Sequence, residues 1–375
     1  MGTLYLHIGT PKTGTTMLQY FMADNRELLR KMGFSFPDFG FRFDGIMRDR
    51  NGHFLIQRYF DEEKNRLYDR EEELYAEGMK LLLDELSRHE NVILSDEGIW
   101  NGYQHISGFW EKLNARITKA GHTLKVMVYL RRQDSYIQSY WSQRVKVGLE
   151  LSFQQFLSSK TIKHRYLDYE KALDHIAAEV GQENIIVRVF ERGQFKEDSL
   201  PADFLNVLGL SLTEEYVIDK EVTNTSISGK YLEIKRILNT MPEYQGKANF
   251  IISLLYQTEA EDASSGGKEN YFKQGQAARF MQKYEESNDR VAQKYLHREG
   301  PLFMEEIPEG GKREEFSSQE LVVACGRLLL TMQNNLENSN TEQRRYRARV
   351  RELEGGIIER ILHKVKNRLK RWLRG

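Results

Sequence analysis

The sequence predicts an α/β fold in which a central, mostly parallel sheet is flanked by helices and followed by a helical C-terminal extension. Three observations carry this. Short apolar runs of strand length alternate with longer stretches of helical period through the first half of the chain. The clearest runs give way at once to glycine or charged residues, as buried parallel strands do where they deliver polar groups at their carboxyl ends. Beyond residue 198 the pattern is mostly helical.

The first strand is Leu4-Tyr5-Leu6-His7-Ile8. The loop Gly9-Thr10-Pro11-Lys12-Thr13-Gly14-Thr15-Thr16 follows, then a helix with Leu18, Phe21, Met22, Leu28 and Leu29 on one stripe. Gly33–Pro37 reads as a short strand. Residues 38–69, with Asn51-Gly52-His53, show no strong period and read as loop and short helix facing a substrate. A charged helix covers 70–89. Asn91–Ser95 is a buried strand ending in Asp96-Glu97-Gly98, a helix is expected over 101–120, and Leu124–Leu130 is a third core strand. After it come Arg131-Arg132-Gln133-Asp134 and a helix through about Val147. Asn184–Phe190 is the last strand. Helices are expected over 198–208, 228–240, 247–260 and 273–298, with a polar loop at Glu259–Asn270. Glu309-Gly310-Gly311-Lys312 marks a boundary, giving one domain over 1–310 and a helical, basic tail over 311–375.

The totals narrow the classes. The 375 residues are 40% hydrophobic and 29% charged, with formal net charge zero, so no global charge points to a nucleic-acid partner. The neutrality hides an asymmetry: residues 344–375 hold 12 Lys/Arg against 3 Asp/Glu. Cys325 is the one cysteine, which excludes an intrachain disulfide and a cysteine-cluster zinc site and fits a reducing compartment. No charged-then-apolar leader opens the sequence, and no apolar run has transmembrane length. Met-Gly at the start lacks the Ser or Thr that a myristoylation signal needs at position 6, which is Leu6. The expected location is cytoplasmic.

A strand, a glycine-bearing loop and a helix N-terminus make a phosphate cradle, because the helix end offers unpaired N–H groups and the positive end of its dipole. Gly9 and Gly14 have Walker A spacing and Thr16 falls where a metal-binding hydroxyl belongs. Thr15, however, holds the lysine position, and the lysine has moved into the loop as Lys12. Pro11-Lys12-Thr13-Gly14-Thr15-Thr16 resembles the loop by which sulfotransferases grip the 5′-phosphosulfate of PAPS, 3′-phosphoadenosine 5′-phosphosulfate. A second pocket, for the 3′-phosphate, is available at the end of the third strand. There a guanidinium fork, Arg131, and a hydroxyl eight residues on, Ser139, can hold one phosphate from two sides. Leu130-Arg131 followed by Ser139-Tyr140 resembles the sulfotransferase 3′-phosphate motif, although Gln133 and Tyr136 stand where that family often has Pro and a second Arg. Glu191–Phe195 and Phe280–Pro301 look like segments of bacterial sulfotransferases that act on cell-surface glycans. The resemblance covers roughly residues 1–305.

The resemblance implies a P-loop-type fold and a PAPS-dependent transfer of a sulfuryl group to a hydroxyl or amine, with adenosine 3′,5′-bisphosphate (PAP) as product and no metal. The acceptor it implies is a cell-surface or lipid-linked glycan. Lys12 would neutralise charge on the departing phosphate, and loop N–H groups with Thr15 and Thr16 would hold the other oxygens. For the general base, Glu97 is the first candidate and His53 the second. His7 reads as a strand residue packed beside the cradle. Asn224-Thr225-Ser226 reads as a helix cap that could also touch the adenosine end. The alternative is an ATP-dependent small-molecule kinase, because Val92–Asp96 resembles a Walker B strand ending in an acid. A third class is a non-catalytic glycan- or lipid-binding module.

In the tail, Ile357, Ile358, Ile361, Leu362, Val365, Leu369, Trp372 and Leu373 share one helical face and basic residues fill the other. Residues 356–374 therefore fit an anionic membrane surface, at the inner face of the membrane. Packing or self-association through the C-terminal helices stays open beside it.

Overall fold

The computed structural model describes all residues except 1, 160–166, 219–226, 228, 245, 263–269, 311–315 and 373–375, and the side chains of 346–372. Asn224-Thr225-Ser226 and most of the 259–270 loop lie outside the described residues. In chain order, β1 (Thr3–His7) leads through the cradle loop to α1 (Thr15–Asp24) and α2 (Arg26–Lys31), then β2 (Phe34–Ser35), α3 (Tyr68–Arg88) and β3 (Asn91–Ser95). Next come α4 (Gly98–Gly102), α5 (Phe109–Lys119), β4 (Thr123–Leu130), α6 (Gln133–Lys146), α7 (Phe153–Ser158), α8 (Tyr169–Val180) and β5 (Ile185–Val189). The remainder is helical: α9 (Leu200–Val207), α10 (Gly229–Asn239), α11 (Ala248–Glu261), α12 (Gln276–Met281), α13 (Glu285–Leu296) and α14 (Ser318–Trp372).

The chain divides into two compact units. The first holds residues 1–144, 151–224 and 270–314; the second holds 145–150, 225–269 and 315–375. The second unit therefore gathers 225–269 together with the C-terminal helix, whereas the sequence placed its boundary at 310–311 alone.

The first unit is built on a five-stranded sheet of order β2-β3-β1-β4-β5, every neighbouring pair parallel. The strands are apolar at nearly every position because both faces are covered. One face carries Leu4, Leu6, Val92, Leu94, Val126 and Val128 against α3, α5, α8 and α13. The other carries Ile93, Met127 and Tyr129 against α1 and α9, through Leu18, Phe21, Met22, Leu200 and Phe204. The helix after β1 thus lies on one face, while α5 and α8, after its neighbours β3 and β4, lie on the other. Such a reversal opens a crevice beyond the carboxyl ends of the strands.

The expected helix over 101–120 is interrupted. A 3-10 turn at Tyr103–His105 intervenes, and Gly108, at φ 64°, turns the chain before α5 begins. The apolar segment at 321–332 and the basic tail form one continuous helix, α14. No helix among the described residues is long and apolar enough to cross a membrane.

Candidate active site

The crevice is lined first by the loop after β1. Backbone bonds carry the sheet past the strand ends: Ile8 N–H reaches Met127 O at 2.9 Å and Thr10 N–H reaches Tyr129 O at 3.1 Å. Thr10 also ties its side chain to Tyr129 O at 3.0 Å, and Thr13 Oγ1 donates to Thr10 O at 2.6 Å. The loop is therefore curled on itself before any ligand arrives. Gly14, at φ 72°, is the residue from which α1 springs, and a Cβ there would lie 2.4 Å from Leu200 Cδ2. Lys12 is exposed and also left-handed, at φ 72°, a conformation that costs a lysine about 1 kcal/mol. Its ammonium donates to Gln143 Oε1 at 2.9 Å.

Beneath the loop lies His7, wholly buried, with edge contacts to the rings of Tyr129 and Phe204. Burial lowers its pKa from 6.5 to about 4, against a smaller upward pull from Asp96. His7 Nδ1 is 3.0 Å from Ser95 Oγ, which also accepts from Gln19 Nε2 at 3.1 Å. His7 Nε2 is buried and has no hydrogen-bond partner among the described residues. A Cβ built on Gly9 would lie 2.9 Å from Thr15 Oγ1, 3.2 Å from Thr13 Oγ1 and 3.3 Å from His7 Nε2, so glycine keeps this polar corner open.

The second cation comes from the end of β4. Arg131 Nη1 donates to the main-chain carbonyl of Lys12 at 2.7 Å, and its Nε donates to Ser135 Oγ at 2.9 Å. Tyr169 Oη bonds the carbonyl of Arg131 itself, and the Phe190 ring lies 5.9 Å from its guanidinium carbon. Burial draws the Arg131 pKa below its ordinary value. The hydroxyl that Arg131 holds is Ser135, which the sequence reading missed. Ser139, half-buried, sits one turn further along the same side of α6. Arg132 turns away, pairing with Asp134 at 2.7 Å and with the carbonyls of Glu305 and Glu306. Pro11 and Thr16 are half-buried in the cradle, and Thr13 and Thr15 are buried.

A third cluster stands at the end of β3. Asn51 stitches the irregular 38–69 segment to this strand: its amide donates to Pro37 O and Ile93 O, and its Oδ1 accepts from Ser95 N–H at 2.8 Å. That stitching brings Arg50 and His53 onto Asp96, which is fully buried. Asp96 Oδ1 accepts from Arg50 Nη2 at 2.6 Å and from Gly98 N–H at 2.6 Å; Oδ2 lies 2.7 Å from His53 Nδ1 and accepts from Arg50 Nε at 3.2 Å. Burial alone would raise the Asp96 pKa, but the hydrogen bond with His53 and the Arg50 charge outweigh it and hold the carboxylate below its ordinary value. The other ring nitrogen, Nε2, lies 2.9 Å from Gln57 Oε1, whose amide nitrogen donates to Arg58 O, so both ring nitrogens of His53 face oxygen acceptors. Glu97 is half-buried, held by Gln19 Nε2 at 3.4 Å and 3.6 Å from Arg50 Nη1. Arg50, Gln19 and Ser95 were not foreseen, and nothing local in the sequence pairs them.

His53 also lines a cavity of about 460 Å³, with Arg58, Asn101, His105, Tyr136 and Tyr140 among its walls. Tyr136 and Tyr140 are stacked, ring centres 6.0 Å apart and planes within 7°. They are carried by α6, the helix that also carries Ser135 and Ser139.

No protein-family model matches the chain. A protein of Archaeoglobus fulgidus described as "Uncharacterized protein" is 27% identical over 209 residues, 55% of this chain and 54% of that protein. The match thus spans about half the length of the relative. Among solved structures, a sulfotransferase from Alicyclobacillus acidocaldarius aligns over 66% of this chain and 94% of its own, with TM-score 0.36 and 14% identity, too loose a likeness to carry an argument.

Proposed function

We propose that the chain is a PAPS-dependent sulfotransferase, moving a sulfuryl group to a hydroxyl or amine of a glycan or glycolipid acceptor. The observation that supports this first is the meeting of the two anion-binding elements. Arg131 clasps the Lys12 carbonyl at 2.7 Å, so the loop after β1 and the end of β4 form one continuous basic rim. The cradle fits an anion: Gly9, at positive φ, leaves a polar corner that a Cβ would fill, and the buried imidazole nitrogen beside it has no partner among the described residues. Loop N–H groups with Thr15 and Thr16 would hold the 5′ end, and Arg131, Ser135 and Ser139 the 3′-phosphate. Bound there, PAPS supplies an activated sulfuryl group. Lys12 offsets negative charge at the leaving oxygen.

The base in this reading is His53. Asp96 holds the ring by Nδ1, and the ring lines a cavity large enough for an acceptor, whose hydroxyl would displace Gln57 Oε1 from Nε2 before giving up its proton there. Glu97, the first candidate from sequence, is engaged by Gln19 and Arg50 and serves better to position them. Asp96 has both oxygens occupied by Arg50, His53 and Gly98, which does not favour the kinase alternative with Asp96 as a metal ligand. We read residues 356–374 as a strip that brings the enzyme to the inner face of an anionic membrane, near a lipid-linked acceptor. A chain ending at Gly355 that co-floats with anionic vesicles as well as the full chain does would overturn that part.

Calorimetric titration tests the cofactor. Adenosine 3′,5′-bisphosphate is expected to bind the wild type and to lose at least tenfold in affinity in Lys12→Ala and in Arg131→Ala. Binding of ATP with magnesium, with no response to the bisphosphate, sinks the reading.

A further inference from the structure

We infer that α14, from Val322 to Leu353, pairs with the same segment of a second copy of the chain as a parallel, in-register two-stranded coiled coil. The inference is independent of the sulfotransferase reading.

Within the second unit, α14 has one packed side. Ala324 and Thr331 are buried, Arg327 Nη1 lies 3.1 Å from Asp262 Oδ1, and Asn335 Nδ2 donates to Gln257 Oε1 on α11 at 2.9 Å. The opposite side bears Val322, Leu329 and Leu336, exposed by 68%, 65% and 64%. Cys325 and Met332 fall between them and are exposed too. The steps 322, 325, 329, 332, 336 alternate three and four, the a and d positions of a heptad repeat. In the sequence of the same helix, the register runs on through Ser339, Gln343, Tyr346, Val350 and Leu353. That is more than four heptads, enough for a stable coiled coil. After Ile357, the next a position, the register stops, because Arg360 falls at d and Lys364 at a, so the seam and most of the basic strip beyond it are separate features.

Charge selects the partner. With Val322 at a, the charged g positions are Glu342 and Arg349 and the charged e positions are Arg347 and Glu354, while Leu328, Asn335, Gly326, Gln333 and Asn340 hold the uncharged ones. In a parallel, in-register pair each g residue faces the e residue five places on in the other chain. Glu342 then meets arginine and Arg349 meets glutamate, opposite signs both times. A lipid surface has no use for that spacing. The polar a-position Gln343 fixes register at some cost in stability.

Sedimentation equilibrium on the full chain at micromolar concentration is expected to give twice the 44.1 kDa chain mass. Leu329→Glu with Leu336→Glu is expected to give a folded monomer, because both side chains are exposed in the single chain, with a melting transition that no longer depends on protein concentration. Leu330→Glu is the control: it is 60% exposed beside Leu329 but lies off the seam, and it should leave the dimer intact. Mild oxidation with copper phenanthroline in air, which takes two electrons and two protons from paired thiols, should link the dimer through Cys325, since d-position cysteines adjoin only in the parallel register. A monomeric wild type, equal disruption by Leu330→Glu, or a dimer that cannot be linked would each overturn the inference.

Discussion

Neighbouring strands β1 and β3 end in polar sites made by opposite means. The β1 site is a run of adjacent residues in which the backbone is the working part; its bonds run from Thr13 to Thr10 and its shape depends on two glycines. The β3 site is a buried carboxylate, Asp96, that collects side chains from a distant irregular segment. The first can be spoiled by adding a single carbon. The second fails when a charge loses its partner. The difference teaches that a curled backbone loop is a local property of the chain, whereas a buried carboxylate with its partners is a property of the fold.

Removing Asp96 should have the largest effect. Asp96→Ala leaves Arg50 largely buried with only Glu97, 3.6 Å away, as a carboxylate partner, a loss expected to cost about 3 kcal/mol of stability. Urea unfolding measures it, and a midpoint equal to the wild type would break the comparison. His53→Ala keeps the Arg50–Asp96 pair and should cost turnover instead, by about 10²–10⁴-fold for a general base. The affinity for adenosine 3′,5′-bisphosphate should stay unchanged. If Glu97→Gln abolishes turnover and His53→Ala does not, the base assignment reverts to Glu97.

His7 joins the two sites, since it belongs to β1 and its ring contacts Ser95 on β3. Its pKa falls from 6.5 to about 4 on folding, so the unfolded chain binds its proton first. Its contribution to stability is complete above pH 6.5 and is lost as pH falls towards about 4. At pH 5 the loss is about 2 kcal/mol. Unfolding free energies at pH 7.5 and pH 5 should differ more for the wild type than for His7→Gln by that amount. Equal differences would mean that His7 does not stay neutral on folding.

Much of this was legible before folding, for reasons that differ by site. Leu4–Ile8, Asn91–Ser95 and Leu124–Leu130 announce themselves because both faces of a parallel strand are apolar. The place of Lys12, Gly14 and Arg131 beyond the strand ends is readable because the strands fix it. Arg50 was not readable: residues 38–69 carry no period, and what anchors them, the Asn51 amide on β3, is a long-range bond. The bond from Arg131 to Ser135 was not readable, because the spacing of the resembled motif points to Ser139 and says nothing of the hydroxyl one turn before it on α6. The split of the second unit was hidden for a like reason, since its pieces are separated by residues of the first.

The smallest effect separates the two costs within the cradle. Gly14→Ala meets both a left-handed φ and the Leu200 methyl, so it should lose about 1–2 kcal/mol from conformation and more from the clash. Leu200→Ala removes the methyl and leaves the φ untouched. In the double variant the affinity for the bisphosphate should recover in part, with the conformational share remaining as a weakening of about tenfold. Complete recovery would mean that the loop tolerates a side chain at Gly14 once Leu200 gives way. The cradle would then depend on packing from α9, and β1 would build its site from distant side chains just as β3 does.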